Sequence, residues 1–298
     1  MRLFFVCLMA LAGCIDNMLT YEVIEEVEVF PPVYAELFTQ PSLTNGFDII
    51  WVIDRSGSMN NHDAELLTGI EQMLTSLPID LQWRIGIVST DPDEALANEN
   101  FPLVPGDTID DAVDRLNALG NPWGEFGLEA LYTYMVLGAY SSTWLRYDAG
   151  LLVVFVSDED DQSMTIEPSD IVDYLRSARS TSAVSAIVGL NESSCADETG
   201  ERYLEVVTAK QGTSIDICSN SWTAGVEAAT QALEPYESWA LTHFPVPETI
   251  NVFVNGKTSS DWVYDITNNV VEFTVIPEGG DVVQIVYGVE SYAPDTGV

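Results

Sequence analysis

Three oxygen-bearing side chains follow one apolar segment at close spacing. The segment Phe47–Ile53 is apolar almost throughout, and Asp54, Ser56 and Ser58 come directly after it. One carboxylate and two hydroxyls at alternating positions of a loop can converge on a single point. Hard oxygen ligands of this kind suit Mg²⁺, Mn²⁺ or Ca²⁺ and not zinc. The pattern therefore predicts a site for a divalent cation.

Alternating strand and helix patterns position this loop. Apolar runs at residues 47–53, 83–90, 151–157 and 183–190 predict strands, and those at 47–53 and 151–157 are apolar enough to be buried on both faces. Apolar residues at helical spacing lie between the runs, for example over residues 66–77 and 128–139. This order predicts an α/β domain with a doubly wound, mostly parallel sheet.

A second polar segment reaches the same edge of the predicted sheet. The run Ser157-Asp-Glu-Asp-Asp161 follows the strand at 151–157. Because ligands of open α/β sheets bind at the carboxyl ends of the strands, this acidic run is expected beside Asp54. Asp160 and Asp161 are expected to be solvated.

The loop after residue 53 resembles the first metal-binding loop of the von Willebrand factor type A family, which has a Rossmann-like fold. Members of that family use a metal-ion-dependent adhesion site to hold a partner. Further similarity in Ala35-Glu-Leu-Phe-Thr-Gln40, in Gly127-Leu-Glu-Ala130 and in the cysteine pair Cys195 and Cys218 looks like a bacterial surface-lipoprotein branch. The similarity covers roughly residues 47–236.

The resemblance implies how the site would work. Asp158 takes the position of an aspartate that completes the family's site, directly or through water. In the family, neutral hydroxyls provide most of the metal ligands, so the cation stays electrophilic. An Asp or Glu of a protein partner then fills the open coordination position. The implied function is cell adhesion or protein binding, without catalysis, with Mg²⁺, Ca²⁺ or Mn²⁺ as the cofactor.

The middle loop departs from the family pattern. The family places a metal-ligating threonine before a helix, but no threonine occurs here before Thr133, and Glu125 is the best positioned oxygen donor. A carboxylate in that position would favour Ca²⁺ or Mn²⁺ and weaken the attraction of an acidic partner. Glu125 could equally be a carboxylate at a helix start that complements the helix dipole.

The charge balance excludes nucleic acid as a partner. The chain has 298 residues with 47 acidic and 10 basic side chains, and its net charge is −37. Such a surface repels polyphosphate and anionic lipid, whereas it collects divalent cations without specificity. An apolar content of 47% nevertheless predicts a packed core.

The amino terminus predicts export. Residues 1–13 combine Arg2, an apolar stretch and a small-residue cleavage site that ends before Cys14, as in a signal peptide. Leu11-Ala-Gly-Cys14 resembles the bacterial lipobox, so Cys14 is the predicted lipidation site and lipid the predicted membrane anchor. The resemblance to Gram-negative lipoproteins implies that Ile15 after the cysteine favours sorting to the outer membrane or cell surface. The alternative is an ordinary secretory signal.

Two further cysteines, Cys195 and Cys218, predict a disulfide in an exported protein. The alternative is a buried thiol pair. A bridge between them would stabilise the fold by about 3 kcal/mol in the chain-entropy estimate.

The predicted organisation is a signal peptide at 1–13, a β-prone flank at 14–46, the α/β domain at 47–240 and a small β module at 245–298. In the last segment the apolar period changes to two, and Asn255-Gly256 predicts a hairpin turn, so an antiparallel meander is expected. The module either docks on the α/β domain or recruits residues 21–30 and 33–38 as extra strands.

Enzyme activity is the less favoured hypothesis. His62 follows the two serines, but no Gly-x-Ser-x-Gly frames them, and His62 is expected to be an exposed residue at a helix start. An aspartyl-phosphate enzyme would need a lysine near Asp54, and the only lysines are Lys210 and Lys257. A structural surface protein with a degenerate metal site is the main alternative, and a metal-dependent hydrolase comes after it.

Overall fold

A computed structural model describes residues 32–42, 46–77, 82–120, 124–179, 181–190, 195–231 and 235–289. The predicted signal peptide, the lipidation site Cys14 and the strand expected at 21–30 lie outside these residues. Within the described ranges, no helix combines the length and the apolar character that crossing a bilayer requires.

The described chain forms twelve strands and eight α-helices. The strands are β1 (Val33–Thr39), β2 (Phe47–Ile53), β3 (Trp83–Ser89), β4 (Gly150–Ser157), β5 (Ser182–Val188), β6 (Thr213–Asp216), β7 (Ser238–Ala240), β8 (Asn251–Val254), β9 (Lys257–Ser259), β10 (Trp262–Asp265), β11 (Val270–Phe273) and β12 (Val282–Gly288). The helices are α1 (Asp63–Ser76), α2 (Pro92–Ala97), α3 (Ile109–Asn117), α4 (Gly127–Tyr132), α5 (Ser141–Trp144), α6 (Pro168–Ala178), α7 (Glu201–Ala209) and α8 (Thr223–Gln231).

A five-stranded parallel sheet in the order β3-β2-β4-β5-β6 forms the centre of the α/β unit. Every residue of β2 and β4 is buried, because helices cover both faces of the sheet. Trp51 packs in one apolar core with residues of α1 and α8, and Phe155 packs in the other with residues of α4, α6 and α7. The α/β class and the parallel sheet predicted from the sequence are confirmed.

One helix differs from its predicted form. The helix expected over 128–139 is α-helical only to Tyr132 and continues as one π-helical stretch, Thr133–Leu137. Apolar periodicity marks the buried face of a helix, but it does not distinguish an α-turn from a π-turn.

The carboxyl-terminal segment forms two antiparallel sheets instead of one meander. The first has the strand order β1-β12-β8-β9, and the second has the order β10-β11-β7. Their facing sides share one core that includes Phe38, Val271 and Ile285, with Trp239 packed against it. Two stacked sheets bury apolar side chains that a single open sheet of this size would leave in water.

The amino-terminal flank belongs to this β module. All seven residues of β1 pair antiparallel with β12, from Val33 opposite Gly288 to Thr39 opposite Val282. The α/β unit therefore follows one strand of the β module and precedes the rest, as an insertion does.

Candidate functional site

Asp54 lies at the carboxyl edge of the parallel sheet, which we define as the loops that follow β2, β3 and β4. Its side chain is fully buried. One carboxylate oxygen, Oδ1, accepts a hydrogen bond from the backbone N–H of Ser56 at 2.7 Å, and the other accepts one from the Ser157 hydroxyl at 2.9 Å. These two bonds fix the orientation of the carboxylate before any ligand arrives.

The two serines link the first loop to the loop after β4. The hydroxyl oxygens of Ser56 and Ser58 are 2.8 Å apart and share a hydrogen bond. Ser58 also donates to Oδ1 of Asp158 at 3.2 Å, across one hundred residues of sequence. The structure thus brings Asp54, Ser56, Ser58 and Asp158 to one place, and three of these side chains form a continuous chain of oxygens.

Glu125 approaches the same place from the middle loop, which lies between β3 and β4 and precedes α4. Its side chain is only 4% exposed, and its Oε2 accepts a hydrogen bond from Nε2 of Gln162 at 2.7 Å. Burial, followed by the negative charges of Asp54 and Glu159, raises the pKa of Glu125 to about 7. Glu125 is therefore close enough for electrostatic repulsion by the other carboxylates, although its described hydrogen bond goes to Gln162.

Negative charge accumulates at this edge without a matching cation. Burial and the charge of Asp54 raise the pKa of Asp158, and burial and Asp158 raise the pKa of Glu159. Among the described residues, the nearby arginines pair with carboxylates other than Asp54, Asp158 and Glu159: Arg55 with Asp63, and Arg202 with Asp161 and Glu167. A bound cation would relieve this repulsion.

The oxygens at this edge fit a hard divalent cation only if the serine hydroxyls are among its ligands. Within the residues that the structure describes, no three His, Cys, Asp or Glu side chains form a group that could hold a metal ion. Any cation here would depend on the oxygens of Ser56 and Ser58 as well as on carboxylates. Such mixed oxygen sets suit Mg²⁺, Mn²⁺ or Ca²⁺.

The expectation of solvent exposure is wrong for Asp161. Its side chain is 4% exposed and accepts hydrogen bonds from the backbone N–H of Leu128 and from the Ser163 hydroxyl, both at 2.9 Å. Arg202 completes its surroundings through Nε at 3.0 Å. Asp161 therefore satisfies an amide at the start of α4 and positions the loop that carries Glu125. Asp160 is half-buried and accepts from the Arg202 N–H.

His62 is also not the exposed residue that the sequence predicts. Its side chain is 7% exposed, at the junction of a short 3₁₀ turn and α1. The turn folds the first loop back onto the domain, so the face of His62 is covered.

Two side chains support the site in roles that were not predicted from the sequence. Ser157 holds Asp54 because Ile53 and Val156 are register partners in the parallel pair β2 and β4, which places the next residue of each strand side by side. The sequence does not specify this register, because aligning the apolar runs 47–53 and 151–157 end to end would place Ile53 opposite Ser157. Gln162 contacts Glu125 and, at 3.3 Å, Glu159. No sequence pattern points to this glutamine.

The predicted disulfide is present between Cys195 and Cys218, with a Cα–Cα distance of 5.6 Å. The segment after Cys195 contacts the site directly: the N–H groups of Asp197 and Glu198 donate to the carbonyl of Asp158 at 2.9 and 3.1 Å. The bridge therefore ties the support of Asp158 to the chain after β6.

Comparisons with known proteins give fold similarity only. No family model matches the sequence, and no curated protein matches it. A similar solved structure is the von Willebrand factor type A protein from Catenulispora acidiphila, with 13% identity, a TM-score of 0.46, and coverage of 88% of this chain and 66% of that one. Another is the pilus adhesin SpaC from Lactobacillus rhamnosus GG in an open conformation, with 13% identity, a TM-score of 0.41, and coverage of 90% and 42%.

A third similar structure is the manganese-loaded TRAP protein of Plasmodium vivax, with 13% identity, a TM-score of 0.40, and coverage of 82% of this chain and 97% of that one. The chain spans less than two thirds of the length of the first two structures. The fold class stated above rests on the strand order of this chain itself.

Proposed function

We propose that this chain is an exported, lipid-anchored binding protein and not an enzyme. Its type A-like domain would hold a protein partner through a divalent cation at the carboxyl edge. One observation carries the proposal: the oxygens of Ser56, Ser58 and Asp158 form a hydrogen-bonded chain beside Asp54, and no described cation neutralises it.

Asp54, Ser56, Ser58 and Asp158 would hold the cation, and Glu125 would contribute a further carboxylate. When bound, the cation would offer an open coordination position to an Asp or Glu of the partner. The protein prepares this site by holding Asp54 through Ser157 and the Ser56 N–H, and Asp158 through Ser58. Prior fixation of the ligands lowers the entropy lost on binding.

A structural surface protein with a degenerate metal site is the second candidate. Two observations favour it: no threonine occurs in the middle loop before Thr133, where the resemblance implies a metal-ligating one, and the described residues contain no group of three acidic, histidine or cysteine ligands. In that case the carboxyl edge would only concentrate cations.

The remaining features are proposed with the function. Residues 1–13 would be removed as a signal peptide, Cys14 would carry the lipid, and the protein would face outward from a bacterial outer membrane or cell surface. The proposed division is a flank at 14–46, a type A domain at 47–240 and a β module at 245–298. Labelling with an alkyne fatty acid should mark the chain and leave Cys14→Ser unmarked; equal labelling would contradict the anchor.

Calorimetric titration of the mature chain with Mg²⁺, Mn²⁺ and Ca²⁺ tests the site. Saturable one-site binding that is lost in Asp54→Ala would support the proposal. Asp173→Ala, which removes a carboxylate that is 82% exposed on α6, is the matched control and should bind like the parent. Weak multisite binding that both variants retain would favour the structural alternative.

A further inference from the structure

A second concave site lies at the opposite end of the parallel sheet. A cavity of about 460 Å³ opens between the amino end of β5 and the β module. Gln40, Arg176, Arg179, Ser182, Lys210 and Tyr236 are among its lining residues, and we call it the basic cleft. Its volume falls within the range of about 300 to 1,000 Å³ that is usual for small-molecule sites.

The charge of the basic cleft is opposite to that of the whole chain. Three of the ten basic residues line it, and the described lining contains neither Asp nor Glu. Arg176 has an ion pair with Asp173, but the two atoms are 3.9 Å apart and both side chains are exposed. Such a pair contributes little. Arg179 contacts the neutral Tyr147 ring, 5.3 Å from its centroid, and donates to the Ala178 carbonyl, so neither of these partners neutralises its charge.

Within the described residues, the hydrogen-bond partner of Lys210 in the basic cleft is a neutral hydroxyl and not a carboxylate. Its Nζ donates to the Ser182 hydroxyl at 2.7 Å. Burial, followed by the positive charge of Arg176, lowers the pKa of Lys210 to about 8. An anion between these two side chains would remove the repulsion.

Two buried polar atoms of lining residues have no hydrogen-bond partner among the residues described. They are Nε of Arg179, whose residue is 7% exposed, and Oε1 of Gln40, whose residue is 1% exposed. The Gln40 amide is oriented by its other end, because Nε2 donates to the Tyr236 carbonyl at 3.0 Å. An unsatisfied buried donor or acceptor is costly, so a ligand group that reaches either atom from the cleft would be stabilised by it.

We infer that the basic cleft binds a small hydroxylated oxyanion of the size of a sugar acid or a sugar phosphate. Arg176, Arg179 and Lys210 receive the carboxylate or phosphate oxygens, and Oε1 of Gln40 accepts a hydrogen bond from a ligand hydroxyl. The combination of donors and a single orphaned acceptor selects such a ligand over a simple anion or a neutral sugar. The site is separate from the carboxyl edge and does not depend on the function proposed there.

Calorimetric titration of the mature chain with four probes tests this inference. Glucuronate and glucose 6-phosphate present a carboxylate and a phosphate on similar hydroxylated skeletons, whereas inorganic phosphate lacks the skeleton and glucose lacks the charge. At least one of the first two should bind saturably at one site, at least about tenfold more tightly than phosphate, and the preferred probe identifies the oxyanion. Glucose should show no binding.

Variants assign the binding to the cleft. Arg176→Gln and Lys210→Met should each weaken the preferred probe about tenfold, as loss of a charge-assisted hydrogen bond does. Arg115→Gln removes the same charge far from the cleft, where Nε contacts the Phe101 carbonyl, and should change affinity less than about twofold. Gln40→Met should weaken the hydroxylated probe about fivefold and leave inorganic phosphate unchanged.

Three results would overturn the inference. One is the absence of saturable binding by both hydroxylated anions. Another is an equal loss of affinity in Arg115→Gln and Lys210→Met, which would show a general charge effect. The third is phosphate binding as tight as that of the hydroxylated anions. Asp54→Ala should leave these titrations unchanged, so failure of the metal site and failure of the cleft are distinguishable.

Discussion

The two ends of the parallel sheet carry opposite charge, and the two charges differ in how strongly they indicate a binding site. At the carboxyl edge, Asp54, Asp158, Glu125 and Glu159 add to a chain that is already strongly acidic. In the basic cleft, three of ten basic residues gather against the overall field. Acidic clustering in such a chain can arise from composition, whereas a basic cluster requires placement.

The two ends also differ in how their polar groups are hydrogen-bonded without a ligand. At the carboxyl edge the polar groups hydrogen-bond to one another, but the negative charge of the carboxylates is left unbalanced among the described residues. In the basic cleft, Arg179 and Gln40 each keep a buried polar atom without a described partner. We therefore expect metal binding to depend on charge at the edge, and anion binding to depend on both charge and hydrogen bonding in the cleft.

The largest expected effect is on the metal site. Asp54→Asn keeps the shape of the side chain and removes its charge, so affinity for Mn²⁺ should fall more than about a hundredfold, beyond the range usual for residues that only support a ligand. Electron paramagnetic resonance of free Mn²⁺ measures this directly. Lys210→Met should leave Mn²⁺ affinity unchanged. If both variants lost Mn²⁺ affinity equally, the two ends of the sheet would not be independent sites.

Glu125→Gln should weaken Mn²⁺ binding about tenfold if this carboxylate contributes to the site. The same change should raise the free energy of unfolding of the metal-free protein by about 1 kcal/mol, because it relieves repulsion from Asp54 and Glu159. Calorimetry and urea denaturation measure the two quantities. Unchanged metal affinity with decreased stability would instead identify Glu125 as a carboxylate that only complements the dipole of α4.

The basic cleft should respond to pH in the opposite direction from a carboxylate site. Lys210 is charged below its pKa of about 8, so affinity for an anionic probe should be highest below pH 8 and fall as the pH rises above it. Arg176 and Arg179 face the same space and keep their charge in this range, and neutral Tyr236 adds no charge there. Titrations between about pH 6.5 and 9.5 should show a loss of about fivefold. Lys210→Met should flatten the profile, and an unflattened profile would assign the titration to another group.

The smallest effect on binding should come from the disulfide. The double variant Cys195→Ser, Cys218→Ser should lower the free energy of unfolding by about 3 kcal/mol in the chain-entropy estimate. Mn²⁺ affinity should fall only about threefold, because Asp197 and Glu198 would hold the Asp158 carbonyl less firmly. Thermal denaturation and the Mn²⁺ titration measure both, and anion binding in the cleft serves as the control.

The parts of the fold set by local pattern could be predicted from the sequence. The runs that became β2 and β4 are apolar almost throughout, as burial on both faces of a sheet requires. The pairing of β1 with β12 could only be left open, because it joins segments about 250 residues apart and no local signal specifies it. The split of the β module into two sheets depends on where apolar faces meet in space.

The candidate site follows the same division. Asp54, Ser56 and Ser58 could be found because one loop carries them, and strand order brought Asp158 beside them. Asp161 was misjudged because its partners, Leu128 and Arg202, belong to elements distant in sequence. The basic cleft was missed entirely, since Gln40, Arg179 and Lys210 come from three segments that have no common motif.

The pairing of β1 with β12 has a mechanical consequence. A pull between residue 32 and the carboxyl edge would stretch β1 along its own axis, because the chain enters at Val33 and leaves at Thr39 toward β2. The load would then act in shear on all seven residue pairs at once, and not on one pair after another as in unzipping. Shear loading resists tension better than unzipping does, so this pairing would suit the lipid-anchored binding protein proposed above.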